Sequence, residues 1–252
     1  MAHPKKILFS GKKDLAGHCL AFIARLHGSQ AIAAVLKQED DRFYDLHGTP
    51  CDAVSVAGRL GVPVIAPSEI DSTEYDTIVS VLGNTIFTPA QLRKAVVAAI
   101  NLHPAPLPCY RGSYGRTFAI VNGDTTYGST IHHMDEKTDR GDIILNVAFP
   151  IYDFDTASTL DERTRLYSLP LFCEAWSLLL RDEISPRRQD QSDARYYKIS
   201  AIDALLERPL VRPDSDQLLR LSRGLQFPPR LTPPDWLVDM LAETTPRDSK
   251  DR

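Results

Sequence analysis

The sequence predicts an α/β fold with a mainly parallel sheet and a small C-terminal extension. Three observations predict it. Short apolar runs alternate with amphipathic stretches from Lys6 to Leu102. Glycines punctuate that alternation, at Gly11, Gly28 and Gly61. The pattern changes after about Pro150, where the apolar runs give way to one long amphipathic stretch and then to polar and proline-rich segments. Strands alternating with helices at this spacing make βαβ units, whose strands lie parallel.

The elements follow in order. Lys6 to Ser10 is a buried strand, being apolar after its lysine. From Asp14 to Leu26, apolar residues recur at helical spacing (Leu15, Cys19, Phe22, Ile23, Leu26), and Gly28 ends the helix by tolerating a left-handed cap. Ala31 to Leu36 is a second strand, and Asp52 to Leu60 is a helix stopped by Gly61. Val62 to Ile65 is a brief third strand that Pro63 places near an edge. Tyr75 to Leu82 is a fourth strand, Pro89 to Val97 a helix with proline near its start, and Ala98 to Leu102 a fifth strand. Ser129 to Met134 alternates like another, and Ile143 to Leu145 begins the next. Ala157 to Leu180 is a long amphipathic helix. Residues 1–183 are therefore expected to form the main domain and 184–242 a small C-terminal region, in which Ala194 to Ile199 is one strand of a hairpin and Ser215 to Arg223 a short helix. Arg181 to Asp193 reads as a polar linker or loop in which the Arg181 to Arg188 cluster is expected to be solvated, Leu225 to Pro234 is too rich in proline for regular structure, and 243–252 is expected to be a disordered tail.

Of the 252 residues, 43% are hydrophobic and 25% charged, with a formal net charge of -4. That is ordinary globular composition, and it lacks the basic footprint of a nucleic-acid binder. Met1 to Lys6 has no apolar run of a signal peptide, and no stretch is long and apolar enough to cross a bilayer. A cytoplasmic protein without a membrane partner is the expectation. Cys19, Cys51, Cys109 and Cys173 form no CxxC pair, so four reduced thiols are expected, with neither a zinc site nor a disulfide framework.

In open parallel sheets, ligands collect where strands end at their carboxyl side. Three loops qualify: Ser10 to Lys13, Gly83 to Thr88 and Asn101 to Gly112. The last reads INLHPAPLPCYRG from Ile100. Asn101 and His103 lie two apart on a strand and so share a face. Pro104, Pro106 and Pro108 then impose a rigid extended loop. An amide fixed beside an imidazole suits a site where one group takes a proton and the other steadies developing negative charge. The second informative segment is GSTIHHMDEKTDRGDIIL, from Gly128. Asp142 stands where a strand begins, placed to orient His103 as a third group orients a base. His132 and His133 are adjacent and must point to opposite faces, one packed and the other toward solvent or ligand. They lack a third metal ligand at suitable spacing, so no metal is expected. Ser10, Gly11 and Lys12 lie where a strand meets a helix start, which is either solvated or an anion site.

These two segments, in this order and separation, resemble the catalytic core of the folate-dependent formyltransferase family, over about the first 180 residues. The resemblance implies a Rossmann-like core and 10-formyltetrahydrofolate as donor. It also implies an Asn-His-Asp constellation on Asn101, His103 and Asp142. The folate pterin would then lie between two loops, against Leu82, Gly83, Asn84 and Ile86 on one side and Asp135, Lys137, Thr138 and Asp139 on the other. Ser222 to Pro229 (SRGLQFPP) is similar to a segment of the sugar N-formyltransferases that act on nucleotide-linked 4-amino-4,6-dideoxysugars. That narrower resemblance implies a nucleotide-linked amino sugar as acceptor, a role in lipopolysaccharide or other surface-polysaccharide assembly, and a homodimer formed through a C-terminal hairpin. Ser10, Gly11 and Lys12 would meet its diphosphate, and Tyr114, Arg116, Tyr152 and Phe227 its sugar and base, although Phe227 could equally pack the tail onto the core. Other acceptors in the family are methionyl-tRNA, glycinamide ribonucleotide and a siderophore hydroxyornithine. A tRNA acceptor would call for a positively charged C-terminal domain, whereas the acidic and basic residues after the long helix nearly balance. A non-catalytic folate or nucleotide binding module is the alternative of a different class.

Overall fold

The computed structural model describes residues 4–38, 43–207, 213–228 and 230–244. The chain forms, in order, β1 (Ile7–Gly11), α1 (Lys13–His27), β2 (Ile32–Leu36), α2 (Ala53–Leu60), β3 (Val64–Ile65), β4 (Thr77–Val81), α3 (Pro89–Lys94), β5 (Ala98–His103), β6 (Arg111–Gly112), α4 (Gly115–Asn122), β7 (Thr126–His133), β8 (Ile143–Pro150), α5 (Ala157–Arg181), β9 (Tyr196–Tyr197), α6 (Asp203–Leu206), α7 (Ser215–Leu225) and α8 (Asp235–Thr244). Seven strands make one sheet in the order β3-β2-β1-β4-β5-β7-β8. The first five are parallel, and β7 and β8 join antiparallel beside β5. Pro63 precedes the edge strand, as its missing N–H requires.

The parallel strands are apolar on both sides because both faces are covered. On one face Phe9, Val79 and Ile100 pack with Leu20 and Ile23 of α1 and Phe172 and Trp176 of α5. On the other, Leu8, Leu36 and Ile78 pack with Ile70, Tyr75 and Phe87. Helix ends follow local chemistry. Asp52 Oδ1 accepts the Ser55 N–H at 2.8 Å to start α2, and Gly61, at φ +67°, ends it. Thr88 and Gln91 form a reciprocal capping box around Pro89 at the head of α3, satisfying donors that a helix start leaves open.

Several elements differ from the sequence expectation. The expected hairpin strand at Ala194 to Ile199 is a two-residue strand, β9, which pairs in parallel with β6 of the main domain; no hairpin forms there. The reason is tertiary: Arg195 and Tyr197 carbonyls accept the N–H groups of Arg111 and Ser113, both at 2.9 Å, so the segment finds its partner far along the chain. Helix α4 was not legible, being eight residues long and entered through Tyr114 in the left-handed region (φ +56°). Helix α8 follows the proline-rich stretch. Apart from residues 243 and 244, which end α8, the expected tail lies outside the described residues.

The boundary expected near residue 183 is crossed by more than β9. Helix α7 lies directly on α4: a Cβ on Gly224 would sit 2.8 Å from Val121 Cγ2 and 3.0 Å from the Thr117 carbonyl. Leu218, Leu221 and Leu225 of α7 then build a small core with Leu231 and Leu237. A similar close approach occurs at Gly17, where a Cβ would lie 1.8 Å from the Cys51 carbonyl oxygen. Gly17→Ala should therefore lower stability by about 1–3 kcal/mol, the usual cost of overpacking. Gly58→Ala, on the exposed side of α2 with nothing within 4 Å, should raise it by up to ~1 kcal/mol through helix propensity. Urea unfolding of the two variants checks the opposite signs.

Candidate active site

The site begins with β5. Residues on one face of a strand alternate, so Asn101 and His103 emerge together. The antiparallel register sets His132 of β7 directly opposite Asn101, and the Asn101 Nδ2–H donates to His132 Nε2 at 3.1 Å. His132 Nδ1 lies 2.7 Å from the His133 carbonyl. A carbonyl only accepts, so Nδ1 carries the proton and in the neutral ring Nε2 offers its lone pair to Asn101. His133 points the other way, as adjacent strand residues must.

The proline loop after His103 is tied down by β7. Prolines bring carbonyls without N–H groups, and these need donors. The hydroxyls of Ser129, Tyr127 and Thr130 donate to the carbonyls of His103, Pro104 and Ala105 at 3.1, 2.9 and 2.8 Å. The loop then curls so that the Tyr110 carbonyl faces His103 Nε2 at 3.0 Å.

Asp139 supplies the carboxylate. Its Oδ1 lies 3.5 Å from His103 Nδ1 and 3.7 Å from His132 Nε2, and its Oδ2 accepts the Gly112 N–H at 3.0 Å. Asp139 is only 9% exposed. Burial alone would raise its pKa; the His103 charge, the His132 ring and the Gly112 N–H overcome that and hold it well below the usual carboxylate range. Burial pushes the His103 pKa below the ordinary histidine value, with Asp139 opposing the shift and the nearby Arg116 adding to it.

Asp142, expected to orient His103, does not. Its carbonyl accepts the His133 N–H at 2.9 Å, so it has already joined the ladder between β7 and β8, and its charge acts on His133. Asp139 lies three residues earlier in the connecting loop, with φ +57°, a turn that aims its side chain back beneath β5. The family resemblance implies Asp139 only as a cofactor contact.

The remaining expected contacts divide. Leu82 (φ +55°) and Gly83 turn the chain out of β4, and a Cβ on Gly83 would strike Ser10 Oγ at 2.8 Å. Asn84 and Ile86 are exposed, Ile86 by 82%. Asp135, Lys137 and Thr138 are exposed on the facing loop, where Asp135 caps the Lys137 N–H at 2.8 Å. Phe87 is buried in the core beneath the sheet, and Met134 packs against that core.

The Ser10 to Lys12 segment is not an open anion cradle. Ser10 is fully buried, bonded to Thr85 and Gln38 at 3.3 and 3.2 Å. Gly11 is buried too, and the Lys12 N–H goes to the Val81 carbonyl at 3.0 Å. Cationic groups gather one step further on. Lys13 Nζ lies 2.7 Å and Arg116 Nη2 3.0 Å from the buried Asp161 carboxylate, with Arg165 bridging Asp161 and Asp14. Lys13 and Arg116 both stand over the Phe227 ring, 5.2 and 5.6 Å from its centre. Burial lowers the Lys13 pKa to about 8 despite Asp161. Tyr114 is half-buried at the start of α4. Tyr152 belongs to another group, stacked on Phe154 and lying under Arg163. Sequence reasoning missed His132 as a site residue and Asp161 altogether; strand register and a contact 148 residues away from Lys13 place them.

Residues 65–175 match the formyl transferase family. Methionyl-tRNA formyltransferases from Limosilactobacillus fermentum and a Geobacillus species are 33% and 32% identical to this chain, over 75% and 76% of it. The chain spans 62% and 63% of their lengths. Among solved structures, an N-formyltransferase from Helicobacter canadensis, in complex with folinic acid and dTDP-3-aminofucose, superposes with a TM-score of 0.79 at 21% identity, covering 92% of this chain and 84% of that one. WlaRD, a sugar 3N-formyltransferase solved with dTDP and 5-N-formyl-THF, gives a TM-score of 0.77 at 20% identity, covering 92% and 83%. These two share the fold.

The two aspartates give a direct test of the geometry. Asp139→Asn should lower turnover by about 10²–10⁴, the range for general acid–base groups, while Asp142→Asn should stay within a few-fold of the parent. The His103 shift predicts the pH profile. A base must be unprotonated, so kcat/KM should fall on the acid side with an apparent pKa below the ordinary histidine value, read from initial rates between pH 4.5 and 8.

Proposed function

We propose that this chain, whose residues 65–175 match the formyl transferase family, moves a formyl group from 10-formyltetrahydrofolate to the amine of a nucleotide-linked amino sugar. The observation that carries the reaction is the convergence of Asn101, His103, His132 and Asp139 at the end of β5. The donor supplies an activated formyl carbon. Its flat ring would lie between the loops after β4 and β7, where Ile86 stands 82% exposed.

The protein's own groups account for the proton and the charge. The His103 Nε2–H is committed to the Tyr110 carbonyl, so its basic atom is Nδ1. As the amine nitrogen bonds to the formyl carbon, Nδ1 takes the proton that the amine sheds. The resulting imidazolium has Tyr110 O on one side and Asp139 on the other. Asn101 gives one amide hydrogen to His132 and has a second to offer to the formyl oxygen as it gains negative charge. One such donor is worth about 10²–10³ in rate. Bound 10-formyltetrahydrofolate would supply the formyl group and a nitrogen to receive the proton that His103 Nδ1 then gives up, which returns His103 to its neutral form.

The sugar nucleotide is favoured by the likeness to sugar N-formyltransferases over 92% of this chain. Lys13, Arg116 and Arg165 also outnumber Asp161 and Asp14, which suits a diphosphate near the acceptor side of His103. Methionyl-tRNA is the second reading, favoured by the 33% identity to a methionyl-tRNA formyltransferase. Incubation with 10-formyltetrahydrofolate, a panel of dTDP-, GDP- and UDP-linked amino sugars, and methionyl-tRNA, followed by mass spectrometry, decides between them. A formylated sugar that disappears with His103→Asn is the expected result. A formylated methionyl-tRNA with unmodified sugars would replace the first reading by the second.

A further inference from the structure

The polar segment after α5 reads in sequence as a linker or loop, and within it Gln189 is only 6% exposed. A buried amide must satisfy both its ends, and Gln189 does so with the catalytic loop. Its Nε2 donates to the carbonyls of Asp139 and Gly141 at 3.0 and 2.8 Å. Its Oε1 accepts from Arg111 Nε and Nη2 at 3.1 and 2.6 Å. Arg111 is itself 2% exposed, and its Nη1 donates to Gln191 Oε1 at 3.2 Å.

The geometry points to Gln189 as a positioning residue for Asp139, and to residues 187–197 as a strap that belongs to the active site. This rests on the formyl-transfer reading for its kinetic consequence only. Asp139 holds a left-handed backbone, φ +57°, a conformation uncommon outside glycine that persists when its surroundings over-determine it. Gln189 grips the main chain of that turn on either side of Arg140, while the Gly112 N–H grips the Asp139 carboxylate. Arg111 joins the two grips: its side chain holds Gln189, and its neighbour Gly112 holds Asp139. The strap is anchored at both ends. Arg187 exchanges backbone hydrogen bonds with Ile143 at 2.8 and 2.9 Å, and β9 pairs with β6. Freed from Gln189, the turn can rotate and carry the carboxylate away from His103, and a misplacement of about 1 Å can cost about 10²-fold in rate.

Gln189→Met keeps the length and neutrality of the side chain and removes both donors. Gln189→Glu keeps the bonds to Arg111 and removes only the donors to the two carbonyls. Both variants should lose about 10- to 100-fold in kcat, with KM for donor and acceptor within about twofold. In Gln189→Met the acid limb of kcat/KM should also move to lower pH, because Asp139 no longer supports a protonated His103. An NMR titration of the labelled His103 ring, assigned by its loss in His103→Asn, reads the same contact without turnover and should show the same downward shift in Gln189→Met. A folded variant with parental kcat and an unmoved His103 titration would overturn the positioning role, whatever its melting temperature. A parent protein that formylates no amine while the His103 titration still responds to Gln189→Met would sink the formyl-transfer reading and leave the positioning role standing.

Discussion

Taking a carboxylate out of water costs several kcal/mol unless donors and positive charge replace the hydration shell. Much of this site can be understood as the means of meeting that demand at Asp139. The Gly112 N–H holds one oxygen, and two imidazole nitrogens face the other, where a proton taken up by His103 Nδ1 finds its acceptor. Each partner comes from a different element: His103 from β5, His132 from β7, Gly112 from β6. The carboxylate therefore fixes the relative placement of three segments, and they fix its direction in return. The same arrangement leaves His103 with acceptors on both nitrogens, so burial favours the neutral ring while the site is prepared for the charged one.

A second buried carboxylate, Asp161, performs a comparable task on α5. It gathers Lys13 from the start of α1, Arg116 from α4 and Arg165 from its own helix. Breaking a buried ion pair on one side leaves an uncompensated charge, so this cluster pins three helices to each other. Phe227, from the segment after α7, lies against two of these cations. The C-terminal helices are thereby linked to the reaction centre by charge and ring contact as well as by the packing of α7 on α4.

The strap from 187 to 197 shows how polar composition can mislead. Charge and proline in such a stretch suggest solvent, and Arg188 and Asp190 are indeed exposed. Gln189 between them is turned inward because the turn at Asp139 has carbonyls to satisfy and Arg111 has a guanidinium to satisfy. Buried polar groups of this kind are specified by their partners, and the partners here are 48 to 78 residues away.

What the sequence by itself determined was local. The alternation of apolar runs and amphipathic stretches set the parallel core, because periodicity is a property of neighbours in the chain. Asn101 and His103 shared a face for the same reason, and Pro63 marked an edge. The motif context around them was enough to suggest the reaction. Only the tertiary structure chose between Asp139 and Asp142, since both lie in one short polar segment and the choice depends on where the ladder between β7 and β8 begins. It likewise set His132 against Asn101 through a register that no single strand encodes. It also turned Ala194 to Ile199 from a hairpin strand into the partner of β6, because a two-residue strand takes whichever edge the rest of the fold presents to it.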